Sequence, residues 1–236
     1  MADVREAIIT CERCPRLRDY CRRIAREKRA AYRDQTYWAR PVPGFGDPNA
    51  RVAVIGLAPA AHGANRTGRN FTGDGGGGSG DFLMTAMHAN GFASIPTSQS
   101  IDDGLVLHDA WIMAAVRCAP PDNKPTPTEI ATCAPHLIAE LDALPNLKVY
   151  VALGRIAFDA VLRLFAERYA VRRAGLQPGR PWDKKPLFEH NGVVRIPGAP
   201  VIVCAYHPSR QNTHTGRLTP QMLKEAFRTA KRLAER

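Results

Sequence analysis

Long apolar runs are missing from this 236-residue chain. The longest, at residues 52–57 and 201–206, fall far short of the ~20 residues a bilayer crossing requires, so no membrane span is expected. An apolar stretch followed by a small-residue cleavage site is also missing from the first residues, which predicts no secretory signal and a cytoplasmic protein. Acidic residues are scarce, with 22 Asp and Glu against 33 Lys and Arg and a net charge of +11. Hydrophobic residues are not scarce. At 44% they can build one sizeable core without disulfide help, which excludes a disordered tail protein.

The positive charge is clustered. Residues 11–40 hold ten Lys and Arg against four acids, and residues 217–236 hold six against two. Clustered cationic charge favours a polyanionic partner, because neutralising phosphates releases condensed counterions, although a pair of solvated helix faces would look the same.

Four short aliphatic runs read as buried strands: Arg51 to Gly56, Ala110 to Val116, Lys148 to Leu153 and Pro200 to Ala205. Segments with helical spacing lie between or after them, at Asp81 to Asn90, Thr128 to Leu144, Arg155 to Arg168 and Pro220 to Glu235. Strands separated by helices are βαβ units, so the fold class is α/β with a mostly parallel sheet. The run Thr126-Pro127-Thr128-Glu129 predicts a capping box, and Pro135 predicts either a kink in the helix that follows or confinement of its first turn. Residues 172–200, rich in Pro, Gly and Arg, read as an excursion before the last strand. With no linker between two cores, residues 1–236 form one domain carrying an Arg-rich helical extension at about 1–45.

Sites in open α/β sheets lie beyond the carboxyl ends of the strands. Polar, Pro-bearing segments follow the first, second and last strands, whereas the third runs only into Gly154-Arg155. Six cysteines in a chain of this type are more plausible as ligands or core residues than as a disulfide framework. Cys11 and Cys14 form a CxxC, and folding can bring Cys118 and Cys133 together; four thiolates suit either tetrahedral zinc or an iron–sulfur cluster. Cys204 reads as a small buried hydrophobe and Cys21 as a free thiol on the Arg-rich helix.

Three runs carry a resemblance. They are Gly56-Leu57-Ala58-Pro59-Ala60-Ala61-His62 extended through Phe71-Thr72-Gly73-Asp74, then Val116-Arg117-Cys118-Ala119-Pro120-Pro121-Asp122-Asn123, and His207-Pro208-Ser209-Arg210-Gln211-Asn212 extended to Thr219. In this order, and with four matching cysteines, they resemble the type-B, family 5 branch of the uracil-DNA glycosylase superfamily. The resemblance implies a three-layer α/β/α sandwich around a four-stranded parallel sheet. It also implies a structural [4Fe-4S] cluster on Cys11, Cys14, Cys118 and Cys133, with zinc as the alternative. The implied activity is that of a monofunctional enzyme, monomeric and nucleoid-associated, excising uracil and other deaminated bases from double-stranded DNA. Related family 4 enzymes carry a Glu where this chain has Leu57 and an Asn where it has Ala114, which leaves Asp74 and Asn123 as the polar candidates. The stretch after Asp74 is also richer in glycine than the family leads one to expect, six of the eight residues from Gly73 to Gly80.

Cleaving an N-glycosidic bond develops positive charge on the sugar and negative charge on the departing base. Asp74 is assigned to water or to the sugar cation, His207 to the base carbonyl, and Asn123 to the water or the base edge. Each of these residue types also occurs in ordinary turns and caps. Phe71 is the expected stacking platform for a flipped base, with Ala58 and its neighbouring amides and His62 lining the pocket. Ser209, Arg210, Gln211 and Asn212 read as a loop filling the gap in the duplex. The helix expected from Arg13 to Arg33 would track phosphates, with Tyr37 and Trp38 at its far end either packing or touching DNA. A competing reading is a non-catalytic, metal-stapled nucleic-acid-binding protein. A nucleotide cradle at Gly73 to Gly80 is disfavoured, because the loop lacks a GK[ST] ending and does not directly follow a strand.

Overall fold

The computed structural model describes residues 1–73, 77–168, 182 and 184–236. Six strands form one sheet: β1 (Phe45–Gly46), β2 (Val52–Gly56), β3 (Ala110–Ala114), β4 (Val149–Leu153), β5 (Val193–Val194) and β6 (Val201–Ala205). Their order is β1-β3-β2-β4-β6-β5. The four expected strands are the parallel centre, with Val54 paired to Ile112 and to Val151, and Val151 to Val203. The four-stranded sheet needs one correction: two-residue strands add antiparallel edges, β1 on β3 and β5 on β6. β5 falls within the expected excursion, of which residues 172–181 and 183 lie outside the described residues.

Eight helices are described: α1 (Ala2–Ile9), α2 (Pro15–Glu27), α3 (Ala64–Thr67), α4 (Ser79–His88), α5 (Pro127–Asp142), α6 (Arg155–Arg168), α7 (Arg210–His214) and α8 (Pro220–Ala234). Both faces of the sheet are covered, which is why its strands read as near-continuous apolar runs. Val52, Val54, Ile112, Val151 and Val203 pack with Leu83, Met87 and Phe227 from α4 and α8. The alternate residues Ala53, Ile55, Met113, Tyr150 and Ile202 pack with Leu137, Phe158 and Phe165 from α5 and α6. The period of two along each strand thus divides the core into two layers.

The capping box forms as expected: the Glu129 backbone N–H donates to Thr126 Oγ1 at 3.2 Å and the Thr126 N–H to Glu129 Oε2 at 2.7 Å. α5 then runs through Pro135 as one helix, so the expected kink does not end it. A long apolar face anchored on the core, including Leu137 and Leu141, outweighs one lost backbone bond. The Arg-rich helix is shorter than expected, spanning Pro15–Glu27, with a separate 3-10 turn at Ala30–Tyr32. Among the described residues no helix is long and apolar enough to cross a membrane.

Candidate active site and cysteine cavity

Phe71 and His207 meet above the carboxyl ends of β2 and β4, their ring centroids 5.8 Å apart and tilted by 33°. Two glycines make the room. A Cβ on Gly56, the last residue of β2, would lie 2.9 Å from the Phe71 ring, and one on Gly154, just past β4, 3.2 Å from His207 Cβ. Gly154 has φ +89°, so it also turns the chain into α6. The end of β4, which showed no polar signal in the sequence, therefore helps to shape the site. Phe71 itself sits at φ +54°, a costly conformation for an aromatic residue and one found where surrounding structure enforces it.

His207 is partly exposed as a residue, but its ring lies deep enough that desolvation pushes the imidazole down to about 4. It is neutral at pH 7. Asn212 Nδ2 donates to the His207 carbonyl at 2.8 Å. Ser209, Arg210, Gln211 and Asn212, expected as a loop, instead open a short helix. Ser209 caps α7, its Oγ accepting from the Asn212 N–H at 3.4 Å, and the next three residues form that helix's first turn. The serine at the start of this turn was a readable N-cap signal. Arg210 and Gln211 are exposed, whereas Asn212 braces the histidine.

Asp74 lies outside the described residues, but Gly73 before it is held from both sides. Its N–H donates to the Ser98 carbonyl at 2.9 Å, and its carbonyl accepts from Arg66 Nη2 at 2.6 Å. Arg66 also donates to the His62 carbonyl at 2.8 Å, bonds Gln35, and stacks 4.0 Å over the Tyr32 ring. Nearby, Arg69 is buried, paired to Asp103 at 2.7 Å and bonded to Thr72 and Ser98. Burial opposes ionisation of Asp103, yet the Arg69 guanidinium and the N–H groups of Leu105 and Gln99 hold its carboxyl below the usual range. Both arginines lie within the first motif run, but nothing in that run announces partners about 30 residues away.

The remaining sequence candidates separate. Asn123 is exposed on a 3-10 turn at Pro121–Asn123, and consecutive left-handed residues Asp122 (φ 54°) and Asn123 (φ 56°) present it past the end of β3. Ala58 packs toward the cluster formed by Leu17, Cys21 and Cys118. His62 shares a hydrogen bond with Tyr37 Oη through Nδ1 at 3.0 Å, and burial together with Arg29 and Arg66 lowers its pKa. Tyr37 is thereby buried rather than offered to a ligand, and the Trp38 indole donates to the Pro41 carbonyl at 3.2 Å.

All four cysteines expected as ligands, Cys11, Cys14, Cys118 and Cys133, line a single cavity, together with Arg13, Arg18, Arg117 and His136. Helix α2 begins immediately after Cys14, β3 leads toward Cys118, and α5 carries Cys133. N–H donors already face three of the sulfurs: Arg13 Nε lies 3.3 Å from Cys11 Sγ, the Arg117 backbone N 3.3 Å from Cys133 Sγ, and Arg18 Nη1 3.9 Å from Cys118 Sγ. Burial pushes the Cys14 thiol up to about 11, with the other cysteines adding to it, so taking up a metal here means releasing protons. Among the described residues no three His, Cys, Asp or Glu side chains are grouped closely enough to hold one metal ion. The four thiols that line the cavity are a donor set suited to either a tetrahedral zinc or an iron–sulfur cluster.

Cys21 is a free thiol as expected, but a fully buried one, its Sγ 3.6 Å from the Ala119 carbonyl. The Leu17-to-Cys21 spacing puts both on one buried face of α2. The arginines of this helix are also largely engaged. Arg16 forms a two-pronged pair with Glu129 at 2.7 and 2.8 Å, Arg18 and Arg22 reach Glu12, and Arg23 reaches Glu27. Arg26, Arg29 and Arg33 are exposed. Cys204 is buried in β6 as expected.

The family model of the uracil DNA glycosylase superfamily matches residues 43–231. The type-5 uracil-DNA glycosylase of Thermus thermophilus is 47% identical over 229 residues, covering 97% of this chain and 96% of that protein. The type-5 uracil-DNA glycosylase of Mycobacterium leprae is 46% identical over 228 residues, covering 96% and 93%. The type-4 uracil-DNA glycosylase of Archaeoglobus fulgidus is 35% identical over 126 residues, about half of each chain. With the aromatic–imidazole pair at the strand ends and a match spanning most of its length, this chain belongs to the uracil DNA glycosylase superfamily.

Proposed function

We propose that the protein is a uracil-DNA glycosylase that opens base excision repair, flipping uracil and other deaminated bases out of duplex DNA and hydrolysing the N-glycosidic bond. The observation that carries this reading is the Phe71–His207 pair over Gly56 and Gly154, in a chain whose full-length relatives are named type-5 uracil-DNA glycosylases. In the reaction the C1′–N bond breaks with its electron pair leaving on the base, water adds to C1′, and the water's proton ends on the base. Phe71 supplies a face on which an extruded base can stack. Neutral His207 donates a hydrogen bond to the base carbonyl, where negative charge accumulates, in a site dry enough for that bond to count. Asp74 orients the water or stabilises the sugar cation; the residue before it, Gly73, is held by Arg66 and Ser98. Asn123 offers an amide to the water or base edge.

Cys11, Cys14, Cys118 and Cys133 would hold a [4Fe-4S] cluster, which supplies structural cross-linking and no step at the glycosidic bond. Its anchorage would tie the N-terminal helices to the end of β3 and to α5. Hydrogen bonds from Arg13, Arg18 and Arg117 suit the negative charge of cluster sulfurs.

Three outcomes follow. Asp74→Asn should lower the single-turnover rate on a deoxyuridine duplex at least about tenfold; an unchanged rate would remove Asp74 from the chemistry. Because desolvation lowers the His207 pKa to about 4, the imidazole stays neutral as pH falls through 6.5, and its contribution is lost only near pH 4. A rate limb titrating near 6.5 that disappears in His207→Gln would contradict this. Gln211→Gly should impair duplex substrates more than single strands, whereas Asn212→Ala, which releases the His207 carbonyl, should slow both alike. A panel of duplexes holding uracil or hypoxanthine, read by alkaline cleavage of abasic sites, tests the base range.

A further inference from the structure

We propose that His136 donates a hydrogen bond from Nε2 to a sulfur of the cluster that the foregoing reading assigns to Cys11, Cys14, Cys118 and Cys133. The inference rests on that reading. His136 follows Cys133 by three residues on α5, a spacing that places both on the same side of the helix, and both line the cysteine cavity. Its residue surface is 9% exposed, and its Nε2 is sealed from solvent with no hydrogen-bond partner among the described residues. Leaving a buried donor unpaired costs about 1–3 kcal/mol, so such an atom calls for an acceptor. Apart from apolar groups and Thr132, the side chains lining this cavity are cationic groups and thiols, none of them bonded to His136 Nε2, and the arginine N–H groups are turned toward three of the sulfurs. A sulfide or thiolate sulfur within the cavity gives His136 the acceptor that the polypeptide does not.

Hydrogen bonds to sulfur withdraw electron density and favour the more negative, reduced state of an iron–sulfur cluster. His136 therefore raises the reduction potential and slows loss of the cluster. Iron and sulfide content of anaerobically purified wild-type protein comes first, since a protein free of both would overturn the cluster reading itself, and this inference with it. In the coloured holoprotein, His136→Leu is expected to shift the potential to a lower value and to bleach in air about tenfold faster. His136→Gln, which retains an N–H donor, should recover most of both. A coloured His136→Leu protein with the wild-type potential and lifetime would overturn the role of His136 while leaving the cluster in place. If the leucine variant does not load, pulsed EPR of dithionite-reduced wild type carrying 15N-histidine decides: nitrogen coupling with an exchangeable proton supports the bond, and its absence overturns it.

Discussion

His207→Leu is expected to lower the single-turnover rate of uracil release about 100-fold or more, the loss typical of removing one donor from developing negative charge. Leucine keeps apolar bulk against Phe71 and Gly154, so thermal stability should move by no more than a few degrees. His207→Gln should recover part of the rate, because its amide can still donate. The separation of rate from stability is the informative part, since a residue that merely filled the turn after β6 would lose both or neither. Undiminished release by the leucine variant would strip His207 of its assigned role.

Arg117→Met is expected to destabilise the protein by about 3–5 kcal/mol, the cost of leaving a buried charge without its partner. Arg117 and Glu140 are each 1% exposed in their side chains and lie 2.7 Å apart. Glu140 also accepts from the Gly44 N–H at 2.7 Å, which ties the chain just before β1 to α5. At the size of this chain such a loss should lower the melting temperature by about 6–20 °C. Adding Glu140→Leu should restore a substantial part, because the unpaired carboxylate is then removed as well. Melting curves of the two variants at equal iron content measure this, and a loss below about 1 kcal/mol for Arg117→Met would show the pair to be dispensable.

The central strands were legible because burial on both faces makes each a short, continuous aliphatic run, as in Val52–Gly56 and Val149–Leu153. The capping box at Thr126 and Glu129 was legible for another reason, being complete within four residues. The edge strands Phe45–Gly46 and Val193–Val194 were not, since two residues carry no period. In the site, Phe71 and His207 stood out through their motif runs, but their meeting depends on Gly56 and Gly154, whose contribution is the absence of a side chain. Arg66 and Arg69 pin the segment before Asp74 through Gln35, Ser98 and Asp103, partners that only the fold brings near. The cysteine quartet was readable as a set, and its closure around one cavity depended on α2 docking against the end of β3. Reading that helix by its charge hid the Leu17-to-Cys21 spacing that makes it dock.

The central claim is base release at the strand ends, and the most direct measurement is a single-turnover assay of the purified protein on a duplex holding one deoxyuridine. Alkaline cleavage would report abasic sites, with Asp74→Asn and His207→Leu run beside the wild type. The account predicts cleavage at the deoxyuridine by the wild type and a large loss in both variants. Tight, salt-sensitive binding of the same duplex without any base release by a folded, coloured protein would contradict it, and would leave a metal-stapled DNA-binding protein in its place.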